Sequence, residues 1–411
     1  MSSNGEAPEL ETEPETESEL QAQPIAARPR RHASTLVVAT VVILSLVGIV
    51  GAVVTSNPSR ATASARATPA PGHPTATSAA LLHAEVAPPP TSTPDAPGTN
   101  LDAGLNQSDP FLTVADGHYI LITSGGTVAD PINVPMVTST DFANWSAPFD
   151  ALPVLPGWAR HGFTWAPDLH RFGTHYGLYF TSMIAGLDPP TQCIGSAFST
   201  SPTGPFTAQP APIICPLDQG GAIDPRVFVD SDGTPWMLWK SDQNIGGSDT
   251  PTKMWSQRIS SDGTTLIGSP SFLLSPDRRW QGTIQEAPDM IEVDGAYWLV
   301  YSANWYNNPD YAIGAARCQG PAGPCADVSP GPLLASNSQG EGPGEASVFH
   351  TAAGIWMLYS PRRSLAPKPD IPARKVFITR LGFGPFGPYL AGGPLPGAAG
   401  LLAMPIWSPS P

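Results

Sequence analysis

The sequence predicts an all-β fold, a five-bladed β-propeller. Three observations carry that prediction: one strand–turn–strand signature recurs five times, its spacing is nearly constant, and long helical periodicity is absent. The signature reads DPFLTVADGHYILITS, APDLHRFGTHYGLYFTS, DPRVFVDSDGTPWMLWKS, APDMIEVDGAYWLVYSA and ASVFHTAAGIWMLYSP. Its turn glycines, Gly117, Gly173, Gly233, Gly295 and Gly354, are 56, 60, 62 and 59 residues apart. A β-sandwich or jelly roll also has many short strands, but neither predicts one signature recurring five times.

Each element has its own reason. Residues 1–35 form an acidic tail: Met1 to Leu20 holds seven glutamates and no apolar periodicity, so the tail is expected to be disordered and cytoplasmic. Residues 36–54 are 19 residues without a charge, roughly 28 Å as a helix, which is about the thickness of a bilayer's hydrocarbon core. This run is expected to be a transmembrane signal anchor. Arg28, Arg30, Arg31 and His32 precede it, which places the C-terminal part outside the cell. If the segment is instead cleaved near Ala63-Ser64-Ala65, the protein is secreted. Residues 55–100, rich in Pro, Ala, Thr and Ser, read as an extended disordered linker. The propeller is expected over 101–411.

Within each repeat, strands alternate apolar and polar residues, and Asp-Gly at 116, 232 and 294 supplies the positive φ that a primed hairpin turn requires. Each hairpin is followed by enough chain for two more strands, so every unit can form a four-stranded blade. Cys193 and Cys215 bracket one short segment and Cys318 and Cys325 another, without zinc-site spacing. Two local disulfides are the simplest of three connectivities, and they suit an exported domain. The net charge of −14 includes the acidic tail, and no basic stripe offers itself to nucleic acid.

Asp109, Asp224 and Glu286 stand eight or nine residues before a turn glycine in the first, third and fourth units. A propeller gathers equivalent positions around its axis, so the three carboxylates are expected to meet there. Pro110, Pro225 and Pro288 follow them closely, at strand starts where proline is tolerated. Carboxylates sharing a pocket cannot all ionise easily, which leaves a protonated acid beside an ionised base. Glycosidic hydrolysis needs that pair. Trp165, at the ring position of the second unit, either offers an indole face to a sugar or fills the propeller centre as a core residue; Trp305 and Tyr306 follow the fourth hairpin and either line a second subsite or pack at the edge. Asp168 reads as a buried hydrogen-bonding residue. His161, His170 and His175 read as surface or structural groups, and Arg362 with Arg363 as a solvated pair or a substrate contact.

The order Asp-Pro (Asp109), Trp-Ala-Pro-Asp (Trp165 to Asp168), Ile-Asp-Pro (Ile223 to Pro225), Glu-Ala-Pro (Glu286 to Pro288) and Gly-Pro-Gly (Gly342 to Gly344) resembles glycoside hydrolase family 43. The resemblance runs from about Asp109 to Leu381 and includes Ser201 to Phe206. It implies a five-bladed propeller acting on pentose-containing glycans such as arabinan, arabinoxylan or cell-wall arabinose polymers, as arabinanase, α-L-arabinofuranosidase or β-xylosidase. It further implies inversion, with Asp109 as general base, Glu286 as general acid and Asp224 holding the acid in place with a high pKa. No cofactor is required for that chemistry. Many members of the family carry a histidine near a central calcium after the Gly-Pro-Gly, where this chain has Glu345, so Glu345 is the candidate ligand of a structural calcium. A monomer with a poly- or oligosaccharide substrate is expected. The alternative is a catalytically silent propeller that binds glycans or proteins at the cell surface.

Overall fold

The computed structural model describes residues 98–392, except 102, 104–107, 126–131, 329, 352 and 363–373. The tail, the apolar run at 36–54 and most of the Pro-rich stretch lie outside them. Among the described residues no helix is long and apolar enough to cross a membrane.

The chain opens with β1 (Thr99–Leu101). The first blade is β2 (Phe111–Ala115), β3 (His118–Ile122), β4 (Pro135–Ser139) and β5 (Phe149–Asp150). The second is β6 (Ala159–Phe172), β7 (His175–Ile184), β8 (Gln192–Ser199) and β9 (Thr207–Ala208). The third is β10 (Ala222–Val229), β11 (Pro235–Ser241), β12 (Met254–Ile259) and β13 (Leu266–Leu274). The fourth is β14 (Gln285–Val293), β15 (Ala296–Ala303), β16 (Ala312–Cys318) and β17 (Cys325–Asp327). The fifth is β18 (Glu341–Thr351), β19 (Gly354–Arg362), β20 (Val376–Gly384) and β21 (Gly387–Leu390). Each blade is an antiparallel meander, as the repeats require.

The last blade is completed from the chain's other end. β1 pairs with β20, Thr99 opposite Ile378 and Leu101 opposite Val376. The strand therefore crosses the boundary expected at residue 101 and closes the circle. Five apolar clusters, one between each pair of neighbouring blades, form the core. The period-2 alternation of β11 shows how: Met237 and Trp239 face the second blade, while Leu238 faces the fourth.

The turns explain the repeat's small irregularities. Asp116-Gly117 and Asp294-Gly295 both have positive φ, as primed turns demand. Asp232 does not; there Asp230 and Thr234 close a longer turn with Gly233 alone in the left-handed region. Both disulfides pair as proximity suggested, Cys193 with Cys215 and Cys318 with Cys325, the latter across β16 and β17. Leu101 is buried in the cluster that joins the first and fifth blades. Leu101→Ala should therefore cost about 2–5 kcal/mol, measured as a lower urea midpoint with an unchanged slope.

Candidate active site

Four inner strands are broken at the same place, and the inner strand of the first blade begins two residues beyond it. Asp109, Ala166, Asp224, Ala287 and Glu345 have φ of 52°, 46°, 59°, 50° and 56°, left-handed values that cost a residue with a side chain roughly 1–2 kcal/mol each. In blades two to five the pairing register slips there, between Trp165 and Asp168, Ile223 and Arg226, Glu286 and Asp289, and Gly344 and Ser347. These are β-bulges, which re-aim side chains. Proline follows the first four left-handed residues, at 110, 167, 225 and 288.

The bulges line a hub cavity of about 10 Å³ with Asp109, Asp224 and Glu345 among its walls, room for about one water molecule. Three ring positions are thus carboxylates. Glu286 is not at a ring position: Ala287 is, and Glu286 stands one residue earlier. The offset follows from the turns. Asp224 lies nine residues before Gly233 because that turn is a residue longer, so equal counting in the fourth unit lands one residue short of the ring.

Opposite each bulge the second strand of the blade carries Ser124, Thr181, Lys240, Ser302 or Ser360. Where that residue is a hydroxyl it can tie down the next blade. Ala166 N–H donates to Ser124 Oγ (2.9 Å), Asp224 N–H to Thr181 Oγ1 (3.1 Å) and Glu345 N–H to Ser302 Oγ (2.8 Å). In the third blade Lys240 replaces the hydroxyl, and Asp224 Oδ2 accepts the Ala287 N–H instead, at 2.8 Å. Lys240 Nζ is freed to donate to Glu286 Oε2 (3.0 Å) and Asp242 Oδ1 (3.3 Å).

From there a continuous network runs around the hub. Asp242 accepts from Gln192 (2.7 Å), whose amide oxygen accepts the Trp165 indole N–H (2.5 Å). In the other direction Glu286 Oε1 contacts the Tyr311 hydroxyl at 2.8 Å, Tyr311 also contacts Glu345 Oε1, and Glu345 and Asp109 share the wall of the hub cavity, where the Asp109 carboxyl acts on that of Glu345. Ser124 Oγ donates to Asp109 Oδ2 and so returns the network to the second blade. Trp305 takes no part in these bonds. It sits half-buried two residues beyond β15, with exposed Tyr306 after it.

Burial, reinforced by the nearby Glu286 carboxylate, raises the Asp224 pKa to about 8. Burial and the carboxylates of Asp109, Glu286 and Asp224 hold Glu345 well above the usual range. For Lys240 burial works against the charge, but Glu286, Asp242 and Asp224 outweigh it and raise its pKa. One Glu345 oxygen is taken by Tyr311. Among the described residues no group of three or more His, Cys, Asp or Glu side chains is arranged to hold a metal ion.

Farther along the inner strands, past the bulges, Arg226 spans the axis between Asp168 (3.1 Å) and Asp289 (3.6 Å) and lies over the Phe111 ring. Asp168 also accepts the Val227 N–H at 3.1 Å, which gives it the strand-securing role expected of it. Beyond Arg226 a second cavity of about 250 Å³ opens among the inner strands, away from the hub carboxylates. Arg362 is not solvated: it is 4 % exposed, beside Gly342 and the buried Arg374. Arg363 lies outside the described residues. His161 is exposed, and burial lowers the His170 pKa to about 4.

Sequence reasoning missed Lys240, Asp242, Gln192, Ser124 and Tyr311. Lys240 had a signal: it is the one charge in the apolar run PWMLWKS, aligned with hydroxyls in the sister repeats. For Tyr311 there was none, because its reach from the residue before β16 across to β18 is a tertiary fact.

Three comparisons bear on this geometry. The sequence profile of glycosyl hydrolases family 43 matches residues 104–387. The extracellular endo-α-(1→5)-L-arabinanase 1 of Bacillus subtilis (strain 168) is 24 % identical over 281 residues, covering 63 % of this chain and 82 % of its own. The arabinoxylan arabinofuranohydrolase of the same organism is 26 % identical over 253 residues, 52 % of this chain and 45 % of its own length. Among solved structures, a thermostable family-43 glycoside hydrolase superposes with a TM-score of 0.61 at 27 % identity, covering 73 % of this chain and 99 % of that one.

The sign of the hub's pH dependence follows from Asp224. Its carboxyl is about 8 in the fold and about 4 when unfolded, so between those values the folded form holds the extra proton and stability falls as pH rises. Asp224→Asn should flatten the decline in urea midpoint between pH 5 and 8; a variant as steep as the wild type would contradict this.

Proposed function

The chain belongs to glycoside hydrolase family 43, and from that premise we propose that it cleaves pentose-containing glycans by an inverting acid/base mechanism. Asp109 is the general base that activates water. Glu286 is the general acid that protonates the leaving oxygen, and Asp224 orients it through the Ala287 N–H. The observation that carries this reading is the setting of Glu286. One of its oxygens is on Lys240 and the other on Tyr311, one residue from a ring that holds Asp109 and Asp224.

Inversion requires acid and base roughly 6.5–9.5 Å apart, with water between base and sugar. Trp165, half-buried and fixed by Gln192, supplies an aromatic wall, and half-buried Trp305, just past β15, a second one. Arabinan and arabinoxylan are the substrates of choice, because the two Bacillus relatives are named for acting on those polymers. One chain supplies the whole ring, so a monomer suffices.

The propeller is exported and held at the cell membrane by residues 36–54, with the Pro-rich stretch as spacer. The uncharged run, the arginines before it and two disulfides in the propeller support this. Alkaline carbonate washing should leave the protein with the membranes; full release into the wash would contradict an anchor.

The full chain should release chromophore from aryl arabinofuranosides or aryl xylosides. Asp109→Ala should lower the rate by roughly 10²–10⁴. Glu286→Ala should lose as much on oligosaccharides but less on aryl substrates, whose leaving groups need no proton. Equal background rates in all three proteins would favour the silent glycan binder.

A further inference from the structure

Each turnover of an inverting enzyme leaves its two carboxyls in the wrong states. The base has gained a proton from water and the acid has lost one to the leaving sugar. Before the next cycle Asp109 has to lose a proton and Glu286 has to gain one, by exchange with solvent or by a path inside the protein. Glu286 is 7 % exposed and Glu345 9 %, while Tyr311, which touches both, is fully buried.

Hydrogen-bond counting in this corner is restrictive. Tyr311 has one hydroxyl proton and two carboxyl oxygens in contact with it, Glu286 Oε1 and Glu345 Oε1. It can donate to only one, so it must accept from the other, which then has to be a protonated carboxyl. Glu345 and Asp109 line the same cavity, which has room for about one water, and a hydrogen bond between their carboxyls likewise needs a proton on one partner. Three contacts in a row join four groups, and three protons satisfy them in either of two directions.

We propose that Tyr311 and Glu345 form an internal proton-return relay from Asp109 to Glu286. This rests on the acid and base roles proposed above. Before cleavage Glu286 donates to Tyr311, Tyr311 to Glu345, and Glu345 to ionised Asp109. Cleavage moves the Glu286 proton to the leaving oxygen, and Asp109 takes one from the attacking water. The line then points the other way: Asp109 donates to Glu345, Glu345 to Tyr311 and Tyr311 to Glu286. Return is a shift of each proton by one bond. O–H bonds break at Asp109, Glu345 and Tyr311 and form at Glu345, Tyr311 and Glu286, with Glu345 receiving on one oxygen and releasing from the other. No proton is gained or lost.

The local chemistry suits carriers rather than sinks. Burial and the surrounding carboxylates keep Glu345 protonated, and burial with Glu286 and Glu345 holds the Tyr311 phenol far above its ordinary value. Neither side chain has to touch the sugar; both act through Asp109 and Glu286. Lys240 on Glu286 Oε2 leaves Oε1 as the oxygen that exchanges its proton with Tyr311.

The test is steady-state hydrolysis of an arabino- or xylo-oligosaccharide by the full chain, with Tyr311→Phe and Glu345→Gln. Both variants keep shape, and the amide that replaces the Glu345 carboxyl can still accept from Tyr311, but neither variant can pass a proton along. The relay predicts that kcat falls by about tenfold or more while kcat/KM, set before return, stays within about twofold. Rising formate or imidazole at fixed pH and ionic strength should restore kcat in the variants and leave the wild type unchanged. On p-nitrophenyl glycosides, where Glu286 keeps its proton, the loss should disappear. Unchanged kcat in both variants, or kcat and kcat/KM falling together without rescue by the small acid, would overturn the relay and leave the glycosidase reading standing. A wild type that hydrolyses neither substrate class removes that reading, and the relay with it.

Discussion

The hub is organised by one constraint: several carboxyl groups have to be buried around an axis without leaving any of them both charged and unpartnered. A lone buried carboxylate is costly, and the remedies are a counter-ion, a donor or a proton. All three are used here. Glu286 has the ammonium of Lys240, Asp224 and Asp109 have N–H and O–H donors, and Glu345 is held in the range where it keeps its proton. The ammonium on Glu286 and the N–H on Asp224 come from neighbouring blades, so the polar network and the closure of the propeller depend on each other.

The third blade shows the coupling most directly. At the position opposite the bulge, hydroxyls in neighbouring blades anchor the next inner strand, but Lys240 cannot accept a hydrogen bond. Asp224 takes over the anchoring of Ala287, one residue from Glu286, while Lys240 turns to the Glu286 carboxylate itself. A single change of residue type therefore ties the position of Glu286 to two groups of the preceding blade. Just past the bulges the Asp168–Arg226–Asp289 bridge crosses the axis and separates the hub carboxylates from the larger cavity.

Much of this was legible in the sequence because the fold repeats. Five copies of one hairpin, with the alternation of PWMLWKS and its sisters, specify blades and their two faces. The closing strand was not legible: Thr99–Leu101 is too short to carry a pattern and declares itself only by pairing with β20. Asp109 and Asp224 were placed correctly by counting back from the turns, and Glu286 was off by one because the Asp232-Gly233 turn holds an extra residue. Arg362 was read as solvated because its neighbours in sequence are polar, whereas β19 carries it into the interior. Trp165 joined the network through Gln192, a partner 27 residues away that no local pattern announces.

The central claim is that Asp109 and Glu286 work as base and acid on opposite faces of one sugar. The most direct measurement is proton NMR of the anomeric signal in the first moments of oligosaccharide hydrolysis, before mutarotation mixes the anomers. Two carboxyls separated by water predict a product of inverted configuration. A product that retains the configuration of the substrate would mean a covalent intermediate, and would contradict the assignment of Asp109 as a base that acts through water.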